Sequence, residues 1–190
     1  MTSTTECLTI DYITIDDARD QLKLCDSYSR LPALLDMTWD LNTSDFFTLL
    51  GEVWPMSDNI GWYIDELVGS FRVVGAAVPA SAEMMAPEAQ VISEMMTPEA
   101  QAIFDSLPDE VTIYRGCYAS NMWGLSWSLR REIAERFPTL PRYRQPGQPI
   151  LVTAKVMKKD IIAIIANREE YEIVAYMPGH VSTHPIHLQD

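Results

Sequence analysis

The sequence predicts an α+β protein, in which a helical N-terminal half is followed by a strand-rich half. The first half shows capping residues followed by apolar positions at helical spacing. From Glu110 onward the pattern changes to short runs of β-branched and aromatic residues. Helices followed by strands are typical of the α+β class. We expect an acidic, mainly helical region over 1–109 and a strand-rich core over 110–190, or one compact domain that contains both.

The elements of the first half follow from caps and periodicity. Residues 8–13 alternate between apolar and polar side chains, as in a short strand. Asp16 and Asp17 supply an N-cap and first-turn charges for a helix that runs toward Tyr28. Two further helices are predicted, one capped at 43–45 and running to Val53, the other capped at 57–58 with an apolar face over 60–68.

An eleven-residue duplication joins the two halves. Residues 83–93, EMMAPEAQVIS, are followed at once by residues 94–104, EMMTPEAQAIF. Pro87 and Pro98 each suit the first turn of a short helix. Two short methionine-lined helices that pack on the core are therefore predicted, with a partner-binding methionine surface as the alternative.

The second half is predicted to contain five strands and one helix. Ser128 is expected to cap a helix from Leu129 to Phe137, with Glu132 near its start. Residues 138–149 are rich in Pro and Arg, which predicts an irregular connection. The five predicted strands lie at 111–115, 124–127, 150–156, 160–166 and 171–176.

Composition indicates a globular, cytoplasmic protein. Apolar residues make up 47% of the chain and charged residues 22%, and no apolar run approaches the length of a membrane span. The three cysteines are widely spaced and form no C-x-x-C pair, which favours a reducing compartment. The N-terminus has no basic residue before Arg19 and does not resemble a signal peptide. We expect no membrane partner.

Charge divides the chain sharply. Residues 1–110 carry 20 acidic and 4 basic side chains, whereas residues 111–190 carry 7 acidic and 10 basic ones. The acidic half should repel nucleic acid and phosphates, and it suits a basic protein partner. The second half can admit an anionic ligand, so the chemistry is expected there.

Arg115 is the first candidate for that chemistry. It follows Tyr114 in an aromatic-flanked strand, where a buried guanidinium is costly unless it meets an anion. The planar fork of arginine matches phosphate or carboxylate, and Gly116 allows close approach of a ligand to the backbone. The alternative is an edge-strand arginine paired with a structural carboxylate.

Two pairs of polar side chains complete the set. Ser126 and Ser128 share one face of an extended segment, where Ser126 can bind a ribose hydroxyl or a carboxylate. A helix cap with an incidental neighbour is the alternative. Glu170 and Glu172 share one face of the last predicted strand and can stabilise positive charge on a sugar carbon while a glycosidic bond breaks. The alternative is a solvated acidic edge.

In order and type, these segments resemble the arginine-serine-glutamate class of ADP-ribosyltransferases, which split NAD and transfer ADP-ribose to a target. The resemblance covers residues 111–178 and implies that the strand-rich half forms a mixed, split β-sheet. It implies that Arg115, Tyr114, Gly116 and Ser128 contact NAD, and that Ser126 positions both NAD and the glutamate. It also implies that Glu172 is catalytic, and that Glu170 activates the acceptor, with arginine as the implied acceptor residue.

The chain departs from the family pattern at two places. Trp127 stands where the family has threonine, and only eleven positions separate Arg115 from Ser126. The Pro- and Arg-rich segment 138–149 stands where the family has a mobile loop over NAD. There, Arg142 is expected to contact the diphosphate or to stack on a base, and either Phe137 or Tyr118 is expected to flank nicotinamide. The alternative is that the segment is a plain connection.

The resemblance thus implies an NAD-dependent mono-ADP-ribosyltransferase that modifies an intracellular protein engaged by the acidic half. Two alternatives stay open. One is a non-catalytic acidic binder or inhibitor that mimics nucleic acid toward a basic partner, and the other is NAD hydrolysis without a protein acceptor. No metal site is expected, because the three histidines, His180, His184 and His187, fall in what is predicted to be an exposed tail.

Overall fold

A computed structural model describes residues 13–73, 93–167, 170–176 and 178–186. Most of the strand predicted at 8–13 and the first copy of the duplication lie outside these residues. The described helices are α1 (Ile15–Lys23), α2 (Arg30–Asp36), α3 (Thr43–Val53), α4 (Ile64–Val73), α5 (Pro98–Ser106) and α6 (Arg131–Arg136). The strands are β1 (Glu110–Cys117), β2 (Ser126–Ser128), β3 (Ile150–Met157), β4 (Ile161–Asn167), β5 (Glu170–Ala175) and β6 (Gly179–Pro185).

Polar side chains begin three of the helices. Thr14 caps α1 by accepting a hydrogen bond from the Asp17 backbone N–H, so the predicted cap at Asp16 is wrong by two residues. Asn42 caps α3 in the same way. Thr97 caps α5, which places Pro98 in the first turn as its sequence predicts. The helix α2 is not among the predicted elements.

The predicted cap at Ser128 is also wrong. The helix α6 begins at Arg131, after an extended Arg130 without a side-chain cap. Ser128 instead ends β2, where its hydroxyl accepts from the Arg130 N–H and donates to the Arg130 carbonyl. The connection that follows contains single 3-10 turns at Phe137–Thr139 and Pro141–Tyr143.

The six strands form one sheet in the order β4-β5-β2-β1-β3-β6. All five pairings are antiparallel, so the prediction of a mixed sheet is wrong, whereas the α+β class is confirmed. β1 and β2 meet through the pair Tyr114 and Ser128, whereas β1 pairs with β3 along its whole length. The sheet therefore consists of two three-stranded halves that join at a narrow junction.

Helices cover both faces of the half-sheet β4-β5-β2. On one face, buried side chains of α1 to α4 pack with Ile165 and Val174 in a common core. On the other, Ala100 of α5 packs with Ile113, Trp127 and other strand residues. The helical region and the strand-rich region thus share a hydrophobic core, which drives their association. Within the described residues, no helix has the length and apolarity needed to cross a bilayer.

The prediction of an exposed C-terminal tail is wrong for two of the three histidines. His180 and His184 lie on β6, an exposed edge strand that pairs with β3, and His187 lies outside the described residues. No three His, Cys, Asp or Glu side chains in the described part of the chain gather to hold a metal ion.

Candidate functional site

Glu172 lies on β5, where the helical layer meets the sheet. Its carboxylate accepts a hydrogen bond of 2.8 Å from the indole Nε1–H of Trp54, which comes from the single 3-10 turn Trp54–Met56. Trp54 is almost completely buried, at 1% exposure. A buried indole N–H needs an acceptor, and a rigid indole holds that acceptor in one orientation. The two residues therefore fix each other.

A row of polar side chains crosses the sheet from Glu172. Cross-strand register pairs Glu172 with Ser128, Ser128 with Tyr114, Tyr114 with Thr153, and Thr153 with Ser182. Residues paired directly across strands point to the same face. One carboxylate and four hydroxyl-bearing side chains thus line one face over five strands.

This face is bounded by the helical layer on one side and by α6 on the other. The helix α6 lies directly on Gly116, where an added Cβ would stand 1.8 Å from the carbonyl oxygen of Ala134. Gly116 therefore permits close approach, as its sequence position suggests, but the group that approaches is the backbone of α6. Arg131 of α6 also interacts electrostatically with Tyr114.

The guanidinium of Arg115 binds backbone carbonyls. Its Nη1 donates to the Ser126 carbonyl at 2.6 Å, and its Nη2 donates to the Asn121 carbonyl at 3.1 Å. Leu125 uses its carbonyl to bind β5 through Ala175, so the next carbonyl along, that of Ser126, points toward β1. Arg115 thus fills the opening where β1 and β2 separate, with Gly124 close against it.

Arg115 and Glu172 start from opposite faces of the sheet. Arg115 lies on the same face of β1 as the buried residues Ile113 and Cys117, because residues two apart on a strand share a face. Glu172 points to Trp54 on the other face. The guanidinium nevertheless lies at the level of the strand backbones and interacts electrostatically with Glu172. Burial lowers the pKa of Arg115, while Cys117 and Glu172 act to raise it. The positive charge and the carboxylate therefore occupy one region.

The two serines have different neighbours. Ser128 is directly opposite Glu172, whereas Ser126 is opposite Val174 and contributes its carbonyl to Arg115. Ser128 is buried, and its hydroxyl bonds the backbone of Arg130. The serine nearest to Glu172 in register is thus Ser128, not Ser126. Glu170 begins β5, opposite Asn167 of β4.

The connection after α6 approaches the helical layer. The rings of Phe137 and Tyr143 lie 5.6 Å apart, and the guanidinium of Arg142 lies 4.7 Å from the Tyr143 ring centroid. Arg142 also reaches Asp58, with Nη1 3.9 Å from Oδ1. Phe137 and Arg142, both predicted ligand contacts, therefore belong to a segment that bridges toward the turn containing Trp54.

A groove of about 350 Å³ lies on the other half of the sheet. It is lined by Thr153 and Ser182 from the polar row, and by the ion pair of Lys155 and Glu110. Thr153 and Ser182 thus belong both to the groove and to the row of polar side chains that begins at Glu172. The groove itself lies on β1, β3 and β6.

Three residues at this site were missed by sequence reasoning. Trp54 carries no local signal, because its partner Glu172 lies 118 positions away. The Asn121 carbonyl is a backbone group, which any residue type provides. Gly124 had a signal, since a glycine beside a candidate site often marks close approach of another group, here the Arg115 guanidinium.

Comparisons of the chain with protein-family models, with curated proteins and with solved structures find no match.

Proposed function

We propose that this protein transfers ADP-ribose from NAD to an arginine side chain of a protein. The observation that carries the proposal is the environment of Glu172. Its carboxylate is held by Trp54, stands next to Ser128, and lies in the electrostatic field of Arg115. A fixed carboxylate beside hydroxyls and a cation suits a reaction in which a sugar carbon becomes positive while a phosphate stays bound.

The reaction breaks the bond between C1′ of the ribose and the nicotinamide nitrogen. The bonding electrons leave with nicotinamide, which becomes neutral, and positive charge develops on the ribose. Glu172 stabilises that charge electrostatically, as a carboxylate does in glycoside hydrolysis. A guanidine nitrogen of the acceptor then forms a bond to C1′ and loses a proton, which Glu170 is assigned to accept.

The remaining residues are assigned to binding. Arg115 is assigned to bind the diphosphate or the ribose through its positive charge. It lies at the junction of the two half-sheets, where Tyr114 and Ser128 form the only described Cα pair between β1 and β2. Ser126 keeps its predicted role toward ribose. Arg142 and Phe137, on the bridging segment, are assigned to the diphosphate and the nicotinamide ring.

Glu172→Gln tests the assignment because Gln keeps an oxygen acceptor for the Trp54 indole while removing the charge. We expect nicotinamide release and labelling of an arginine-rich protein by labelled NAD to fall by at least ~100-fold. Glu132→Gln is the matched control, since Glu132 pairs with Arg130 on the exposed surface of α6, and it should retain full activity. Equal nicotinamide release by wild type and Glu172→Gln would refute the role of Glu172.

A non-catalytic acidic binder is the second candidate. The charge distribution favours it, because three of the four basic side chains in residues 1–110 are already engaged. Arg19 and Lys23 pair with carboxylates, and Arg30 binds three backbone carbonyls. Salt-sensitive capture of a basic protein that is unchanged by NAD and by Glu172→Gln, without nicotinamide release, would favour this function over the enzyme.

A further inference from the structure

Four large apolar side chains are exposed together on the helical layer. Leu24 is 89% exposed, Tyr28 51%, Met56 47% and Trp62 74%. The rings of Tyr28 and Trp62 lie 5.8 Å apart, and Leu24 closes α1 just before the turn that carries Tyr28. We call these four residues the aromatic patch. Exposed apolar surface of this kind commonly marks an interaction site.

Hydrogen bonds hold the aromatic patch in shape. Arg30 donates to the carbonyls of Leu22, Cys25 and Met56, and so ties the end of α1 to the turn at Met56. The Asn59 side chain donates to the Tyr28 carbonyl at 2.6 Å, and the Asp58 N–H donates to the Ser27 carbonyl at 2.9 Å. A preformed surface loses little conformational entropy when it binds.

The charge around the patch selects a basic occupant. Asp65 and Glu66 follow Trp62 in the first turn of α4, whereas Asp20 at the end of α1 is paired with Lys23 and adds no net charge. The nearby cation Arg30 is turned inward onto carbonyls. Arginine side chains can stack on Tyr28 and Trp62 and pair with the carboxylates. The same negative charge disfavours nucleic acid.

The patch is connected to Glu172 by one turn of the chain. In the 3-10 turn Trp54–Met56, Trp54 points inward to the carboxylate of Glu172, while Met56 is exposed in the patch. Asp58, in the same loop, meets Arg142 of the segment that borders the site. A segment bound at the patch therefore lies beside the candidate site.

We propose that the aromatic patch docks an arginine-rich segment of the protein that is to be modified. This choice of occupant rests on the proposed function, because docking at the patch would bring arginine side chains to Glu172. The patch acts in recognition and takes no part in the splitting of NAD.

An alternating Arg-Gly peptide is the probe for binding, measured by calorimetry without NAD. Trp62→Ala should weaken peptide binding at least ~10-fold, as loss of an aromatic anchor does, and added NaCl should weaken wild-type binding. Trp39→Ala is the matched control, since Trp39 is 87% exposed and lies beyond the far end of α2 from Tyr28. Equal binding by wild type and Trp62→Ala, or equal weakening in Trp39→Ala, would overturn the docking surface.

Nicotinamide release separates this inference from the enzyme itself. With NAD alone, Trp62→Ala should release nicotinamide at the wild-type rate, while its transfer to the Arg-Gly peptide falls at least ~10-fold in kcat/KM. Absence of nicotinamide release from wild type, with peptide binding still lost in Trp62→Ala, would refute the enzyme and leave the docking surface supported. Normal transfer to the peptide by Trp62→Ala would refute the docking surface and leave the enzyme supported.

Discussion

At the scale of single residues, the contact between Trp54 and Glu172 links the two halves of the chain. The indole is buried in the core of the helical layer, and its only polar atom points at the carboxylate on β5. A hydrogen bond to a charged acceptor contributes roughly 1.5–3 kcal/mol, more than a neutral one. In the proposed reaction, Trp54 is therefore assigned as a positioning residue that orients Glu172.

Trp54→Phe is predicted to lower kcat for nicotinamide release about tenfold or more with a smaller change in KM, because it removes the indole hydrogen bond that orients Glu172 while leaving the binding residues in place. Trp127→Phe is the matched control. Trp127 is also buried, and its indole donates to the Gly124 carbonyl at 3.1 Å on the face away from Glu172. Both variants should lose stability in urea titrations. A loss of kcat in both variants alike would assign the effect to packing.

At the scale of elements, α6 borders the polar face of the sheet at β1. It rests on β1 through Gly116, and the 3-10 turn that follows contributes Pro138 to the same contact, 2.8 Å from a Cβ placed at Gly116. Any side chain at position 116 would separate α6 from β1 and move Phe137 with it. The distance between α6 and β1 therefore depends on Gly116. Glycine is required there because it has no side chain, and not because of unusual backbone angles.

Gly116→Ala should destabilise the protein by about 1–3 kcal/mol, because the new methyl group meets backbone atoms that cannot rotate away. Gly69→Ala is the opposite case. Gly69 lies within α4, and a Cβ added there would meet nothing within 4 Å, so alanine should stabilise by roughly 0.5–1 kcal/mol through helix propensity. Urea unfolding of both variants checks the pair. A neutral Gly116→Ala would mean that α6 is free to shift.

Local patterns predict five of the six described strands and miss the one that is held extended mainly by pairing with its neighbour. The predictions for β1 to β5 agree with the structure to within two residues at each end, and runs of Ile, Val and Tyr mark all of these strands except the short β2. The sequence of β6, GHVSTHP, has Gly, Pro and two His, and only its ladder with β3 keeps it extended. The short helix α2 escapes prediction because it has no side-chain cap.

The candidate site, too, is only partly predicted by local sequence patterns. Residue type and chain order single out Arg115, Ser126 and Glu172, but the strand register makes Ser128, not Ser126, the cross-strand neighbour of Glu172. The Arg115 guanidinium binds the backbone carbonyls of Asn121 and Ser126. Glu172 is oriented by the indole of Trp54, which comes from the helical layer. Contacts between distant parts of the chain leave no local pattern to read.

At the scale of the whole molecule, charge is distributed unevenly between the layers. The net charge of −13 comes from the acidic residues of the first half. Of the ion pairs there, Lys23 with Asp20 joins two side chains that are both largely exposed, at 66% and 74%. Exposed pairs of this kind add little stability. Repulsion among the remaining carboxylates therefore opposes folding, and the hydrophobic core beneath them offsets it.

Salt should consequently stabilise this protein. Raising NaCl from low to high ionic strength shortens the Debye length and screens the repulsion among like charges of the helical layer. If screening recovers about 1 kcal/mol, Tm should rise by roughly 2–4 °C for a chain of this size. The measurement is calorimetric Tm across an NaCl series, repeated with choline chloride so that screening is distinguished from binding of sodium. A Tm that falls with both salts would show that the ion pairs outweigh the repulsion, and the same carboxylates would then be poorly suited to attract a basic partner.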